Sequence, residues 1–260
     1  MTHGLVSVEI VGKVGIIRLN NPEALNAMSL DMVDDLNAAL HEVVGKVGAL
    51  ILGGEGRAFC SGADLSKPMG GDDETAPDVG SSLDTHAIPL MLRMRELPIP
   101  WISAVRGAAA GYGASLALSA DMVVASESAF FLLAFSRIGL VPDGGATYLL
   151  ARSAGRVRAM EAALLGNRLP AAKAEQWGLI NRVVEDAQLE TVAIELATQL
   201  AEGPYSLKLI RKLVWDAVEG DFSSTMKAER EFQREAGVSD DFREGVAAFL
   251  EKRPAAFTGR

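Results

Sequence analysis

Ala63 and Tyr112 each sit in a glycine-framed stretch, Ser61-Gly62-Ala63-Asp64-Leu65 and Gly107-Ala108-Ala109-Ala110-Gly111-Tyr112-Gly113. Each stretch follows an apolar run that reads as a buried strand, residues 49–52 before the first and residues 101–105 before the second. Two backbones are therefore expected to leave one sheet at the same edge. Glycine lets the chain turn tightly there and lets a ligand approach the main chain. Two main-chain N–H groups aimed at one point stabilise negative charge developing on a carbonyl oxygen, so the paired motifs point to an oxyanion hole and acyl chemistry.

Other nucleophile and cofactor patterns are weaker. Gly113-Ala114-Ser115-Leu116-Ala117 lacks the closing glycine of a nucleophile elbow, and no His-Asp pair accompanies it at a helpful spacing. Gly111-Tyr112-Gly113 lacks the later glycine of a dinucleotide fingerprint, and no Gly-Lys-Ser/Thr phosphate loop occurs, so neither NAD nor ATP is implied. His3, His41 and His86 have no metal-ligand spacing, and no metal is expected. Cys60 reads as a small core residue and His86 as a partly exposed helix residue.

These groups must be positioned by a chain of 260 residues, long enough for one large core. Hydrophobic residues make up 49% and charged residues 23%, ordinary globular usage. The longest apolar run, residues 129–135, is too short to span a bilayer, and the first residues lack a basic region followed by an apolar core. A cytoplasmic, membrane-free location is expected, and the single cysteine fits a reducing compartment. A net charge of −9 without any basic run argues against nucleic acid as a partner. Lys67, Lys252 and Arg253 are the candidates for a local patch that would meet an anionic substrate.

The first third reads as strands over residues 5–11 and 14–20, a helix over residues 30–44 and the strand before Gly53-Gly54. Ser29 is placed to cap that helix, with Met32, Val33, Leu36, Ala39, Leu40 and Val43 as its buried stripe. Residues 67–82 read as a surface loop, residues 83–97 as a helix kinked at Pro89, residues 113–120 as a helix and residues 122–125 as a strand. From about residue 146 the chain reads as mostly helical, with helices over 189–201, 206–218, 223–236 and 241–251. The alternation gives an α/β layered core over residues 1–200 and a helical region over residues 201–260, and the opening pair of strands excludes an all-parallel sheet.

The two glycine motifs, together with residues 20–27 (Asn-Asn-Pro-Glu-Ala-Leu-Asn-Ala), residues 139–145 (Gly-Leu-Val-Pro-Asp-Gly-Gly), residues 172–183 and residues 245–253, resemble the enoyl-CoA hydratase/isomerase, or crotonase, superfamily over nearly the whole chain. The resemblance implies a spiral of β-β-α units, a helical trimerisation region, and a homo-trimer or hexamer. It also implies a pocket for an acyl-CoA substrate, with coenzyme A as part of that substrate and no other cofactor. By the same resemblance the oxyanion donors are the N–H groups of Ala63 and Tyr112, and Ala24, Leu25, Ala63, Asp64, Leu65, Tyr112 and Lys252 bind the thioester or its coenzyme A. Tyr112 departs from the glycine common at its position, so the direction of its ring matters.

The family's hydratases use two glutamates, whose places hold Ser115 and Phe135. Neither can do a carboxyl group's proton transfer unaided. Asp143 resembles the catalytic carboxylate of several isomerase branches. These observations lead to an acyl-CoA isomerase worked by Asp143, the competing role for Asp143 being a cap on a helix beginning near Gly145. The alternatives are a hydratase with non-standard residues and a non-catalytic acyl-CoA-binding protein. A dehalogenase-like pairing of His86 with Asp143 lacks the tryptophan that accompanies it, because Phe135 stands there. An RNA-binding role would call for a lysine-rich helix, which the chain does not offer.

Overall fold

The computed structural model describes residues 2–66 and 78–260, so Lys67 and most of the expected surface loop lie outside the described residues. The elements run β1 (Thr2–His3), β2 (Val6–Val11), β3 (Val14–Leu19), α1 (Leu30–Val43), β4 (Ala49–Gly54), α2 (Ile88–Arg95), β5 (Trp101–Val105) and β6 (Ala108–Ala110). They continue through α3 (Tyr112–Leu118), β7 (Met122–Ser126), β8 (Phe130–Leu132), α4 (Ala146–Ser153), α5 (Arg156–Leu165), β9 (Leu169–Pro170), α6 (Ala171–Gln176) and β10 (Arg182–Val184). Four helices close the chain, α7 (Leu189–Ala201), α8 (Ser206–Glu219), α9 (Phe222–Ala236) and α10 (Asp240–Glu251).

The seven-stranded sheet has the order β1-β2-β3-β4-β5-β7-β10, antiparallel through β1-β2-β3 and parallel beyond. The inner strands are apolar on both faces because both faces are covered. Ile17, Leu19, Leu50 and Leu52 share a core with the buried stripe of α1, whereas Val14, Ile16, Ala49 and Ile51 meet Leu189, Ala193, Leu196 and Ala197 of α7. Ser29 caps α1 as expected, its Oγ accepting from the Met32 amide at 3.2 Å. β6, β8 and β9 form a separate three-stranded sheet.

Three expectations need correction. Residues 83–97 are helical as far as Arg95, but the disturbance at Pro89 takes a form the sequence did not specify: a wide π turn over Leu83–Ala87 runs directly into α2, and Pro89 is the second residue after it. β6 is hidden in a run of alanines, which carry little strand propensity. The mostly helical second half also contributes β9 and β10, and β10 extends the main sheet by pairing with β7; elements of two or three residues are too short to show a period.

α8 is fastened to the core by a buried ion pair. Arg211 Nε donates to Asp121 Oδ2 at 2.7 Å, and its Nη atoms donate to the carbonyls of Met94, Arg95 and Leu97 at 3.0, 2.6 and 2.8 Å. Trp215 Nε1 donates to the other Asp121 oxygen at 3.1 Å. Arg211→Ala leaves Asp121 without its cationic partner, although the Trp101 amide and the Trp215 indole still donate to it, removes the donor to three carbonyls, and is expected to destabilise the protein by about 3 kcal/mol. Thermal melts of the variant beside the wild type check this, and an unchanged melting temperature would contradict it.

Candidate active site

The paired glycine motifs do converge. After β4 the chain runs alongside β6: the Phe59 amide donates to Arg106 O at 2.8 Å, Cys60 to Ala108 O at 3.0 Å, and Ala110 to Cys60 O at 2.9 Å. Both strands then turn at a glycine of positive φ, +105° at Gly62 and +50° at Gly111. A β-carbon on Gly62 would stand 3.0 Å from the Ala110 carbonyl oxygen, so the two turns abut with no room for a side chain. The residues that follow are Ala63 and Tyr112. Among the described residues neither amide donates to a protein acceptor, that of Tyr112 because it opens α3.

The loop that resembles a coenzyme A groove docks on the first turn. Ala24 ends a short 3-10 helix, Leu25 is left-handed at φ 52°, and the Ser61 amide donates to Leu25 O at 3.0 Å. Asn26 holds the loop from beneath: fully buried, it accepts from the Asn21 amide and donates to the carbonyls of Glu55 and Ala58 at 3.0 and 2.8 Å. That anchoring role is not visible in the sequence motif. Asp64 turns its carboxylate onto the Ser66 amide and hydroxyl at 3.0 and 2.6 Å, and Leu65 is exposed. Lys252 ends α10 in a left-handed conformation, and Arg253 beside it is committed to Glu244 and Glu251. Neither lines the cavity described next.

Ala63, Tyr112 and Asp143 meet in a cavity of about 60 Å³, walled also by Met28, Val33 and His86. Asp143 arrives on the loop that follows β8. The Ser115 hydroxyl, buried in α3, donates to the Asp143 carbonyl at 2.8 Å and ties that loop to the helix bearing the Tyr112 amide. Gly145, not Asp143, occupies the cap position of α4, and the helix has no side-chain cap. The Asp143 Oδ1 is buried without a hydrogen-bond partner among the described residues. Burial pushes its carboxyl from an ordinary 3.8 up to about 6, which poises it for proton transfer near neutrality.

The Tyr112 ring edge lies beside Gly144, and its hydroxyl donates to Ala87 O at 3.1 Å. Burial, and then the nearby Asp143 charge, hold the phenol far above its ordinary value, so it remains a donor. Phe135 is buried beside Gly111 and presents an apolar ring there. Burial pushes the Cys60 thiol up to about 12, as suits a core residue rather than a nucleophile. His86 is more interesting than its sequence context suggests, because the π turn brings it to the wall of the cavity that holds Asp143.

Comparison with known proteins shows the family. The model of the enoyl-CoA hydratase/isomerase family matches residues 9–260. The chain belongs to the enoyl-CoA hydratase/isomerase family. Among relatives, a 1,2-epoxyphenylacetyl-CoA isomerase of Escherichia coli K12 is 45% identical over 247 residues, 94% of each chain. A protein named probable enoyl-CoA hydratase from Rhodobacter capsulatus is 41% identical over 261 residues, all of both chains. The crystal structure of an enoyl-CoA hydratase from Polaromonas sp. JS666 superposes with a TM-score of 0.92 at 32% identity, covering 98% of this chain and all of that one. The protein is thus a thioester enzyme of the enoyl-CoA hydratase/isomerase family with the crotonase fold. No helix among its described residues is long and apolar enough to cross a membrane.

Asp143 also bears on stability. Its carboxyl binds a proton more tightly in the folded protein than in the unfolded chain, so stability falls as pH rises from about 4 to about 6 and the charged carboxylate is a constant cost above that. Asp143→Asn removes that cost and should stabilise the protein at about pH 7 by on the order of 1 kcal/mol, after allowance for the solvent that reaches the group. The gain should shrink towards about pH 4. Melting temperatures of both proteins across this range test it; a variant less stable at neutral pH would count against the assigned burial cost.

Proposed function

We propose that this family member is an acyl-CoA isomerase, shifting a double bond or isomerising a ring-epoxide acyl-CoA through an enolate, with Asp143 as its acid-base group. One observation carries the reading: among the described residues, Asp143 offers an unpartnered buried oxygen in the same cavity as the unengaged amides of Ala63 and Tyr112. For a 3-enoyl thioester, the Asp143 carboxylate takes a proton from the α-carbon and the electron pair moves onto the thioester oxygen. The two amides hold the resulting dienolate, and the carboxyl group returns the proton to the γ-carbon, leaving the 2-enoyl product. No net water is added, so one carboxylate suffices. The serine and phenylalanine at the glutamate places, and the name of the Escherichia coli relative, support an isomerase over a hydratase.

In this reading Ala24, Leu25, Asp64, Leu65 and Lys252 bind the coenzyme A portion, in a cytoplasmic homo-trimer or hexamer. Exposed Phe222, Phe249 and Leu250 on α9 and α10 support contacts between copies. The second reading, a hydratase of unusual residues, is favoured by His86, a second titratable group on the cavity wall, and by the name of the Rhodobacter capsulatus relative.

Proton exchange separates the readings. In deuterated water the wild type should exchange α-protons of 3-enoyl or aryl-acetyl thioesters without adding water to crotonyl-CoA. Asp143→Asn should still bind the thioester yet lose exchange by roughly 10²–10⁴-fold. Full activity in that variant would sink the assignment, and tight binding with no exchange by the wild type would leave a binding protein. The wild-type kcat/KM should rise with pH through an apparent value of about 6, where Asp143 gives up its proton.

A further inference from the structure

A second, mainly apolar cavity of about 240 Å³ lies beside the one that holds Asp143, walled by Ile88, Met91, Leu92, Gly144, Leu149 and Trp215. The walls of the two are continuous in sequence. Ala87 and Asp143 belong to the small cavity, and the next residues, Ile88 and Gly144, belong to the large one. The Tyr112 side chain stands at that seam. Its hydroxyl is tied to the Ala87 carbonyl, and its ring edge lies so near Gly144 that a β-carbon there would meet Cδ2 at 3.1 Å. Tyr112 is only 4% exposed, and it lines the small cavity but not the large one. At the far end Arg95 stacks on Trp215 at 4.7 Å and pairs with Glu219 at 2.8 Å, so its charge is compensated and the cavity suits an apolar chain.

We infer that the Tyr112 ring is a specificity-determining partition: it confines the acyl group to the Asp143 chamber, favours compact acyl groups, and bars longer chains from the apolar chamber beyond it. The inference rests on the acyl-CoA reading of the site but not on the isomerase step. Its physical basis is shape. Each methylene that enters an apolar chamber contributes about 0.8 kcal/mol, so a barrier at the seam forfeits most of what a long chain would otherwise gain. The same residue offers its amide to the thioester oxygen and its ring to the length limit, and only the second depends on the side chain.

The test is calorimetric binding of unreactive butyryl-, octanoyl- and dodecanoyl-CoA to the wild type, Tyr112→Phe and Tyr112→Ala. The wild type and Tyr112→Phe, which both keep the ring, should gain little affinity with length. Tyr112→Ala should improve the dodecanoyl-to-butyryl affinity ratio by at least about ten-fold. The same length profile in Tyr112→Ala as in the wild type overturns the partition. So does a steady rise in wild-type affinity from butyryl to dodecanoyl, which needs no variant and therefore survives a failure of Tyr112→Ala to fold. Absence of binding by any of the three thioesters to the wild type would overturn the acyl-CoA reading and this inference together, whereas failure of the isomerase step alone would appear only in proton exchange.

Discussion

The short parallel pairing between the chain leaving β4 and strand β6 is the constraint on which the site depends. Cys60 exchanges backbone hydrogen bonds with Ala108 and Ala110, and two residues beyond the Cys60–Ala109 pair both chains turn at glycines that touch each other. The register therefore decides that Ala63 and Tyr112 emerge together rather than one residue apart. Their amides are held in place by sheet and helix, which is the preorganisation that the proposed oxyanion role would need. Asn26 extends the same control outward, clamping the loop of Ala24 and Leu25 against the first turn through buried hydrogen bonds to Glu55 and Ala58.

Asp143 obeys a different logic. Its backbone is secured by the Ser115 hydroxyl, while its carboxylate is left with an oxygen that no donor among the described residues reaches. A capping carboxylate at the start of α4 would stabilise the helix and lower its own pKa. Instead, Gly145 takes the cap position and the carboxyl is raised towards neutrality by burial. Local helix stability is given up, and the half-buried carboxyl is left holding its proton more tightly than an exposed one. Ser115 and Phe135 contribute to the same end, one as a strut for the Asp143 loop and the other as an apolar face beside Gly111.

Much of this was legible in the chain. The capped, amphipathic α1, the β-β-α-β opening, the four closing helices and the two glycine turns follow from periods, caps and glycine spacing, because those signals are set within a few residues of one another. β6, β9 and β10 were not legible: two or three residues carry no period, and their strand character comes from partners remote in sequence. The π turn before Pro89 was hidden for a related reason, since proline marks a disturbance in a helix but not how the preceding turn absorbs it.

By itself the sequence determined that two glycine turns end two buried strands, and its resemblance to the family pointed to Asp143 as the carboxylate, with Ser115 and Phe135 at the two glutamate places. Only the tertiary structure decided that the Asp143 carboxylate is free of the helix it precedes, that His86 reaches the same cavity, and that the Tyr112 side chain lies between Ala87 and Gly144. The reason is that a turn is specified by the backbone preferences of neighbouring residues, whereas the direction and protonation of a side chain depend on what packs around it from distant parts of the chain.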